Sequence, residues 1–387
     1  MKPAEIKAAA SERAGLSDFG DDHFEAPLKL WADGLTSDRL SEFGRAFLAR
    51  QAVADLVRRL QIVDTLKRHP EIADVTLPPI LYISGHERSG TTLLHNLLML
   101  HPKARALLRW ELVRPTPPPE AATYAIDPRI AATQKTIDGL RGSLLEHMHW
   151  VNADDPEECI FGFYNMSGIL GGAPAFAMPH WAEWLVCRQP EAAFREYRML
   201  IKLLLWRNPV PDGGHLVLKS PQIAKQLPLW LRVFPEAQMI LTHRDPFRTS
   251  TSTATLISHI NQPFVTDAIS GDETLMADYV TMLTETKCAA LVDFDDTAAV
   301  KPVNVRYDAL VSDAAGVITS LQDQSGVAHW PNLKADVADF LAAQNRAKPP
   351  RRMPTFGLEH EAFLARPEVA AYCQHFGLAP ERRRVTG

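Results

Sequence analysis

One short segment constrains the fold of this chain more than any other. Residues 80–83 form an apolar run typical of a buried parallel strand, and residues 85–92, with the sequence GHERSGTT, follow it closely. Residues 93–100 then have the composition of a helix. Glycines permit a tight turn in which backbone N–H groups and a helix N-terminus converge on an anion. The order of strand, glycine loop and helix therefore predicts an anion site in an α/β fold, with an ordinary glycine-containing turn as the alternative.

The position of the basic residue separates this loop from that of a nucleotide triphosphatase. The pattern G-x-x-x-x-G-K-[ST] requires lysine where this chain has Thr91, and the basic residue here is Arg88, inside the loop. A planar guanidinium suits a phosphate or a sulfate group. The sequence therefore weakens the case for a P-loop kinase or hydrolase, which stays the alternative enzyme class.

A second candidate anion site follows another apolar segment, residues 238–242. Asp245 and Pro246 suit the N-cap and the first position of a helix. This predicts Arg244 at the end of a strand and Ser252 about two turns into the next helix, where both side chains reach one phosphate. The alternative is that Arg244 pairs with a nearby carboxylate.

Further strand-like segments predict the fold class. Residues 215–218 lead to Lys219, and residues 303–305 lead to Tyr307, each before a helical pattern. This alternation predicts an α/β fold with a P-loop-like parallel β-sheet flanked by helices, which binds ligands beyond the carboxyl ends of its strands. We expect a helical N-terminal preface over residues 1–76 and an α/β domain over residues 77–387, with a helical insertion at about 120–212 and a C-terminal helical cap at about 330–387.

Composition and charge exclude several classes of protein. Of the 387 residues, 46% are hydrophobic and 22% are charged, which is ordinary for a globular chain. The formal net charge of −5 gives no global basic excess for binding nucleic acid. The sequence has neither a secretory apolar region nor an uncharged apolar stretch of membrane-spanning length. We therefore expect a cytoplasmic protein with no nucleic-acid partner and no membrane span.

These motifs in this order resemble the sulfotransferases that use 3′-phosphoadenosine-5′-phosphosulfate (PAPS), and in particular a bacterial branch that is similar to the tyrosylprotein sulfotransferases. The resemblance implies an α/β fold and transfer of a sulfuryl group from PAPS to a hydroxyl acceptor, with 3′,5′-adenosine diphosphate as the product and no metal. It rests on residues 80–92, His101-Pro102, Trp110-Glu111, Asp155-Pro156-Glu157-Glu158, Leu218-Lys219-Ser220-Pro221, Thr242-His243-Arg244-Asp245-Pro246 and Phe356-Gly357-Leu358.

The resemblance also implies a role for each matching residue in binding PAPS. Arg244 and Ser252 would bind the 3′-phosphate, and Tyr307 would contact the adenine, unless it is a core tyrosine. Arg351 or Arg352, in a late basic run, would close over the 3′-phosphate, unless that run is a solvated loop. The residues that would surround the 5′-phosphosulfate are those of the first loop: Arg88, Ser89, Gly90, Thr91 and Thr92.

By analogy with phosphoryl transfer, Arg88 and Lys219 would stabilise the departing 5′-phosphate. The acceptor hydroxyl also needs a base. Cytosolic members of the family carry a histidine where this chain has Pro221, whereas the tyrosylprotein branch uses a glutamate whose nearest counterpart is Glu111. His149 is the reserve candidate for the base, and a structural ion pair with Arg109 or Arg114 is the alternative role of Glu111.

The acceptor and a metal are less constrained by the sequence. The predicted insertion is rich in Trp, Met and Phe, which form either the core or the wall of a pocket for an apolar small molecule. The acidic residues around Pro156 suit the first turn of a helix, so we expect no metal there. A non-catalytic lipid- or protein-binding module is the alternative to an enzyme. The aromatic and methionine residues in question are Trp150, Phe161, Phe163, Met166, Phe176, Met178, Trp181 and Trp184.

Overall fold

The computed structural model describes residues 1–139, 152–167, 176–188, 190–344 and 354–381. Within these ranges, five parallel strands form one sheet in the order β2-β3-β1-β4-β5. The predicted parallel α/β sheet is thus confirmed. The strands are β1 Ile80–Gly85, β2 Ala104–Arg105, β3 His215–Lys219, β4 Ala237–His243 and β5 Val303–Arg306.

The three central strands, β1, β3 and β4, are buried on both faces, which explains their continuous apolar sequences, whereas β5 alternates buried valines with exposed Asn304 and Arg306. In β1, Ile80 and Tyr82 belong to one hydrophobic cluster, whereas Leu81 and Ile83 belong to another on the opposite face. This alternation follows the two-residue period of a strand. The sheet therefore lies between two apolar layers, and its polar chemistry is confined to the ends of the strands.

The N-terminal region is helical, as its sequence predicted. Ser41 caps the third helix, because its Oγ accepts a hydrogen bond from Gly44 N at 2.9 Å. Trp31 and Leu56 from this region share a buried cluster with Tyr82 of β1, so the hydrophobic core crosses the predicted domain boundary at residue 76, which stays a prediction. The helices here are Pro3–Ala14, Glu25–Gly34 and Glu42–Arg68, with 3₁₀ turns at Asp22–Phe24 and Pro70–Asp74.

Helices also cover the sheet after β1. Within the described residues, no helix is long and apolar enough to cross a membrane. The α-helices are Thr91–Leu98, Arg109–Val113, Pro128–Asp138, Ile160–Ser167, Pro179–Cys187, Glu191–Leu205, Leu227–Val233, Pro246–Asn261, Asp267–Ser270, Glu273–Thr297, Tyr307–Ser312, Ala314–Ser325, Leu333–Gln344, His360–Leu364 and Pro367–His375, with 3₁₀ turns at Ala121–Ile126 and Pro221–Gln226.

Most of the aromatic residues of the predicted insertion that the structure describes belong to the core. Phe161 is partly buried, and the guanidinium carbon of Arg109 lies 3.9 Å from the centroid of the Phe161 ring. Trp150 and the side chain of Met166 lie outside the described residues. The buried members are Phe163, Phe176, Met178, Trp181 and Trp184. A pocket wall for an apolar acceptor therefore stays a prediction.

Candidate active site

The loop between β1 and the helix Thr91–Leu98 requires both of its glycines. Gly90, the N-cap of that helix, has φ of 98°, and a Cβ atom there would lie 2.8 Å from Tyr307 Cδ2. Gly85 has φ of 132°, and its Cβ would lie 2.4 Å from Thr242 O. Larger residues would thus meet both a strained backbone and a neighbouring atom. The two glycines let the loop fold tightly against β4 and Tyr307.

The two predicted anion sites are adjacent in the structure. Arg88 Nε donates a hydrogen bond to Ser252 Oγ at 3.1 Å, and Arg244 Nη1 donates one to Arg88 O at 3.3 Å. Burial and then the charge of Arg244 lower the pKa of Arg88 from its ordinary value. Two guanidinium groups that repel one another favour an anion in their neighbourhood. The carboxyl ends of β1 and β4 thus form one cationic site.

Arg244 is held on several sides. Its guanidinium lies 4.0 Å from the ring centroid of Tyr307, a cation–π contact. It also donates two hydrogen bonds to Glu381, at 2.7 and 3.0 Å. Arg244 thus has a carboxylate partner, which was the alternative to a phosphate in the sequence analysis. Asp245 caps the helix Pro246–Asn261 by accepting from Phe247 N at 2.8 Å, which confirms the predicted helix start.

Lys219 extends the cationic site toward the neighbouring strand β3. Its side chain is almost fully buried, and its Nζ lies 3.1 Å from Thr92 Oγ1 and 3.0 Å from Glu158 Oε1. Gln222 Nε2 donates to the other oxygen of Glu158 at 2.5 Å. Glu158 had no predicted role, although the Asp-Pro-Glu-Glu segment that contains it contributed to the sequence resemblance. The structure therefore adds a carboxylate beside the predicted catalytic lysine.

Glu111 lies in a different environment. It is fully buried; its Oε1 accepts from Arg105 Nη2 at 2.7 Å, and its Oε2 accepts from Leu108 N at 2.9 Å. Its partner is thus Arg105, a residue of β2, whereas Arg109 donates to Glu157 at 2.6 Å. A role of Glu111 as the base stays a prediction.

Two further loop residues face the protein interior. Ser89 is fully buried, and its hydroxyl donates to His86 O at 2.6 Å and lies 2.5 Å from Thr242 Oγ1. Thr91 is also buried, whereas Thr92 is exposed. The Ser89 side chain thus fastens the loop to β4. Its predicted contact with the 5′-phosphosulfate, like that of Thr91, stays a prediction.

One expectation from the sequence is wrong for this region, and others concern residues that the structure does not describe. The acidic segment around Pro156 does not form the first turn of a helix, because the next helix begins at Ile160 and Pro156 forms an antiparallel bridge with Leu108. His149, Arg351 and Arg352 lie outside the described residues.

A parallel sheet with a glycine loop after its first strand, and with cations at the ends of three adjacent strands, defines an α/β protein with a cationic site at the carboxyl edge of its sheet. The profile described as "Sulfotransferase family" matches residues 79–332, and the chain belongs to this family. It is therefore an enzyme of a family that takes sulfate from PAPS. Membership of this family argues against the two alternatives from the sequence, a P-loop kinase or hydrolase and a non-catalytic lipid- or protein-binding module.

Two solved structures support the same classification. Sulfotransferase STF9 from Mycobacterium avium is 25% identical, with a TM-score of 0.86 over 99% of this chain and 98% of that one. Sulfotransferase STF1 from Mycobacterium tuberculosis H37Rv is 22% identical, with a TM-score of 0.75 over 96% of this chain and 97% of that one, and supports the fold. A search of curated proteins gave no match. The similarity to the tyrosylprotein branch stays a prediction.

Proposed function

We propose that this sulfotransferase uses PAPS as its donor and transfers the sulfuryl group to a hydroxyl of a small molecule. The observation that carries the proposal is the meeting of Arg88, Arg244 and Ser252 at the carboxyl ends of β1 and β4. Residues that lie far apart in the sequence form one cationic surface there. A donor with anionic groups at both its 5′ and 3′ positions matches that surface.

The chemistry of the donor groups fits PAPS. Arg88, Lys219 and Thr92 offer charge and hydrogen bonds to a 5′-phosphosulfate, and Arg244 with Ser252 offers them to a 3′-phosphate. Tyr307, beside Gly90 and Arg244, supplies an aromatic face near the same strand ends. When bound, PAPS supplies an activated sulfuryl group. Arg88 and Lys219 then offset the negative charge that gathers on the leaving phosphate oxygen.

For the base we add Glu158 to the sequence-based candidate Glu111. A base must lie within hydrogen-bond reach of the acceptor hydroxyl, hence close to the reacting group. Glu158 contacts Lys219, which in turn contacts Thr92 of the donor loop. Glu111 instead contacts Arg105 and the N-terminus of its own helix, and neither partner belongs to the donor loop. The contacts therefore favour Glu158.

Calorimetric titration tests the donor assignment. We expect the wild type to bind 3′,5′-adenosine diphosphate with micromolar or lower Kd without a metal, and ATP with magnesium to bind more weakly. Arg244→Ala should lose about 2 kcal/mol of binding free energy, because a charged hydrogen-bond donor to the phosphate is removed. Arg195→Ala, which removes an exposed arginine on another helix, is the matched control. Tighter binding of ATP with magnesium, or binding of neither nucleotide, would contradict the proposal.

The finer expectations about the reaction are parts of the same proposal. They are an apolar acceptor, the absence of a metal requirement and a cytoplasmic location. Turnover of PAPS with a panel of phenols, sterols, sugars and peptide tyrosines, with and without a chelator, tests the first two.

A further inference from the structure

A buried lysine outside the predicted site contacts two of the segments that build it. Lys287 lies in the middle of the helix Glu273–Thr297 and is only 2% exposed. A buried ammonium group is costly unless it is paired and hydrogen-bonded. Its Nζ forms an ion pair with Glu87 and donates a hydrogen bond to Pro221 O at 3.1 Å.

Both partners of Lys287 are neighbours of residues assigned to the donor. Glu87 directly precedes Arg88 in the loop after β1, and Pro221 comes two residues after Lys219 at the end of β3. One ammonium group thus joins the backbone of the β3 end to the loop after β1. This connection adds to the β1–β3 pairing between the segments that carry Arg88 and Lys219.

The backbone at Arg88 needs such support. Its φ of 65° lies in the left-handed region, which is strained for a non-glycine residue. A strained residue keeps its conformation only where its surroundings impose it. On one side, Ser89 is fastened to His86 O and Thr242. On the other side, Glu87 forms the ion pair with Lys287.

We propose that Lys287 is a positioning residue which, through Glu87 and Pro221 O, sets the conformation of the loop and directs Arg88 toward the 5′-phosphosulfate of the donor. This inference rests on the proposed function. It assigns Lys287 no contact with the donor. Its effect should therefore be much larger for ligands that carry a 5′-phosphate than for ligands that lack it.

Two nucleotides that differ only in that group test the proposal. Kd is measured by calorimetry for 3′,5′-adenosine diphosphate and for adenosine 3′-monophosphate, on the full chain. We expect Lys287→Met to raise Kd for the diphosphate by about tenfold or more and Kd for the monophosphate by less than about twofold. Glu285→Gln is the matched control. Glu285 lies on the same helix as Lys287, and the substitution breaks its ion pair with Arg366, away from the loop. This control should leave both values unchanged.

A second variant, Glu87→Gln, distinguishes the effect of loop positioning on Kd from the effect of net charge. It also provides a test if Lys287→Met does not fold. Glu87→Gln removes a negative charge near an anion site, so electrostatics alone would lower Kd for the diphosphate. Loss of the loop support would raise it, and we expect a rise of about fivefold or more. Lys287→Arg, which keeps the charge, should restore part of the affinity.

The outcomes distinguish this inference from the proposed function. If Lys287→Met and Glu87→Gln both weaken binding of the diphosphate but not of the monophosphate, the positioning role is supported. Equal changes for both nucleotides, or tighter binding of the diphosphate by Glu87→Gln, would overturn it while the wild type still binds. A wild type that binds neither nucleotide would overturn the proposed function and the positioning role together.

Discussion

At the residue scale, two buried glutamates differ in what their oxygens contact. Glu111 is bound by Arg105 and its own helix N-terminus, and Glu158 by Lys219 and Gln222 at the end of β3. Removing one partner of a buried ion pair leaves an uncompensated charge and costs about 3–5 kcal/mol of stability. The same carboxylate-to-amide substitution should therefore lower the stability of both variants, and the catalytic rate is what should distinguish them.

We expect Glu158→Gln to lower kcat for PAPS turnover by about 10²-fold or more, because a general base is lost. Glu111→Gln should also lower the free energy of unfolding by about 3 kcal/mol, as Glu158→Gln should, but it should lower kcat of the folded enzyme by less than about tenfold. Steady-state rates and urea unfolding curves of both variants are the measurements. If Glu111→Gln were folded but inactive, and Glu158→Gln active, the base would be Glu111.

At the scale of elements, the C-terminal segment contacts the start of the helix after β4. Glu381 pairs with Arg244, and its backbone N–H donates to Asp245 Oδ2 at 2.7 Å. In the proposed donor complex, the carboxylate of Glu381 would compete with the 3′-phosphate for the same guanidinium. The ion pair would then have to open or to share Arg244.

We expect Glu381→Gln to tighten binding of 3′,5′-adenosine diphosphate by about threefold to tenfold, since the pair is partly exposed and such pairs contribute about 1 kcal/mol. Adenosine 5′-monophosphate, which lacks the 3′-phosphate, should bind the variant and the wild type alike. Calorimetry with both nucleotides checks this. Weaker binding of the diphosphate by the variant would show that Glu381 supports Arg244 rather than competing for it.

The elements also show which features of the fold were visible in the sequence. Three of the four predicted strands are apolar runs buried on both faces, and the fourth, β5, alternates buried valines with exposed polar residues. The start of the helix at Pro246 was predicted because Asp245 caps it. Strand β2, Ala104–Arg105, has only two residues and therefore no periodicity to detect. The contacts of Glu158 and Lys287 are long-range and follow from the packing of separate segments, which no local pattern reveals.

At the scale of the whole molecule, several buried histidines couple stability to pH. Burial lowers the pKa of His243 to about 4, and that of His95 to about 3. His243 is neutral in the fold, where its Nδ1 lies 2.8 Å from Tyr372 Oη and its Nε2 lies 2.8 Å from Asn304 Oδ1. The unfolded chain takes up protons below about pH 6.5, whereas the folded chain does not until much lower pH. The stability that these groups provide is complete above about pH 6.5 and is lost as the pH falls toward about 4.

Urea unfolding at about pH 7 and about pH 4.5 measures this loss. Each such histidine contributes up to about 1.4 kcal/mol per pH unit between its unfolded and folded pKa values. His243→Gln keeps a polar side chain but cannot titrate, so the difference in unfolding free energy between the two pH values should shrink by about 2 kcal/mol. His329→Gln, which changes an exposed histidine paired with Asp323, is the matched control and should leave the difference unchanged. An equal pH dependence in wild type and His243→Gln would show that His243 does not carry the effect, and His95 would then be the group to replace.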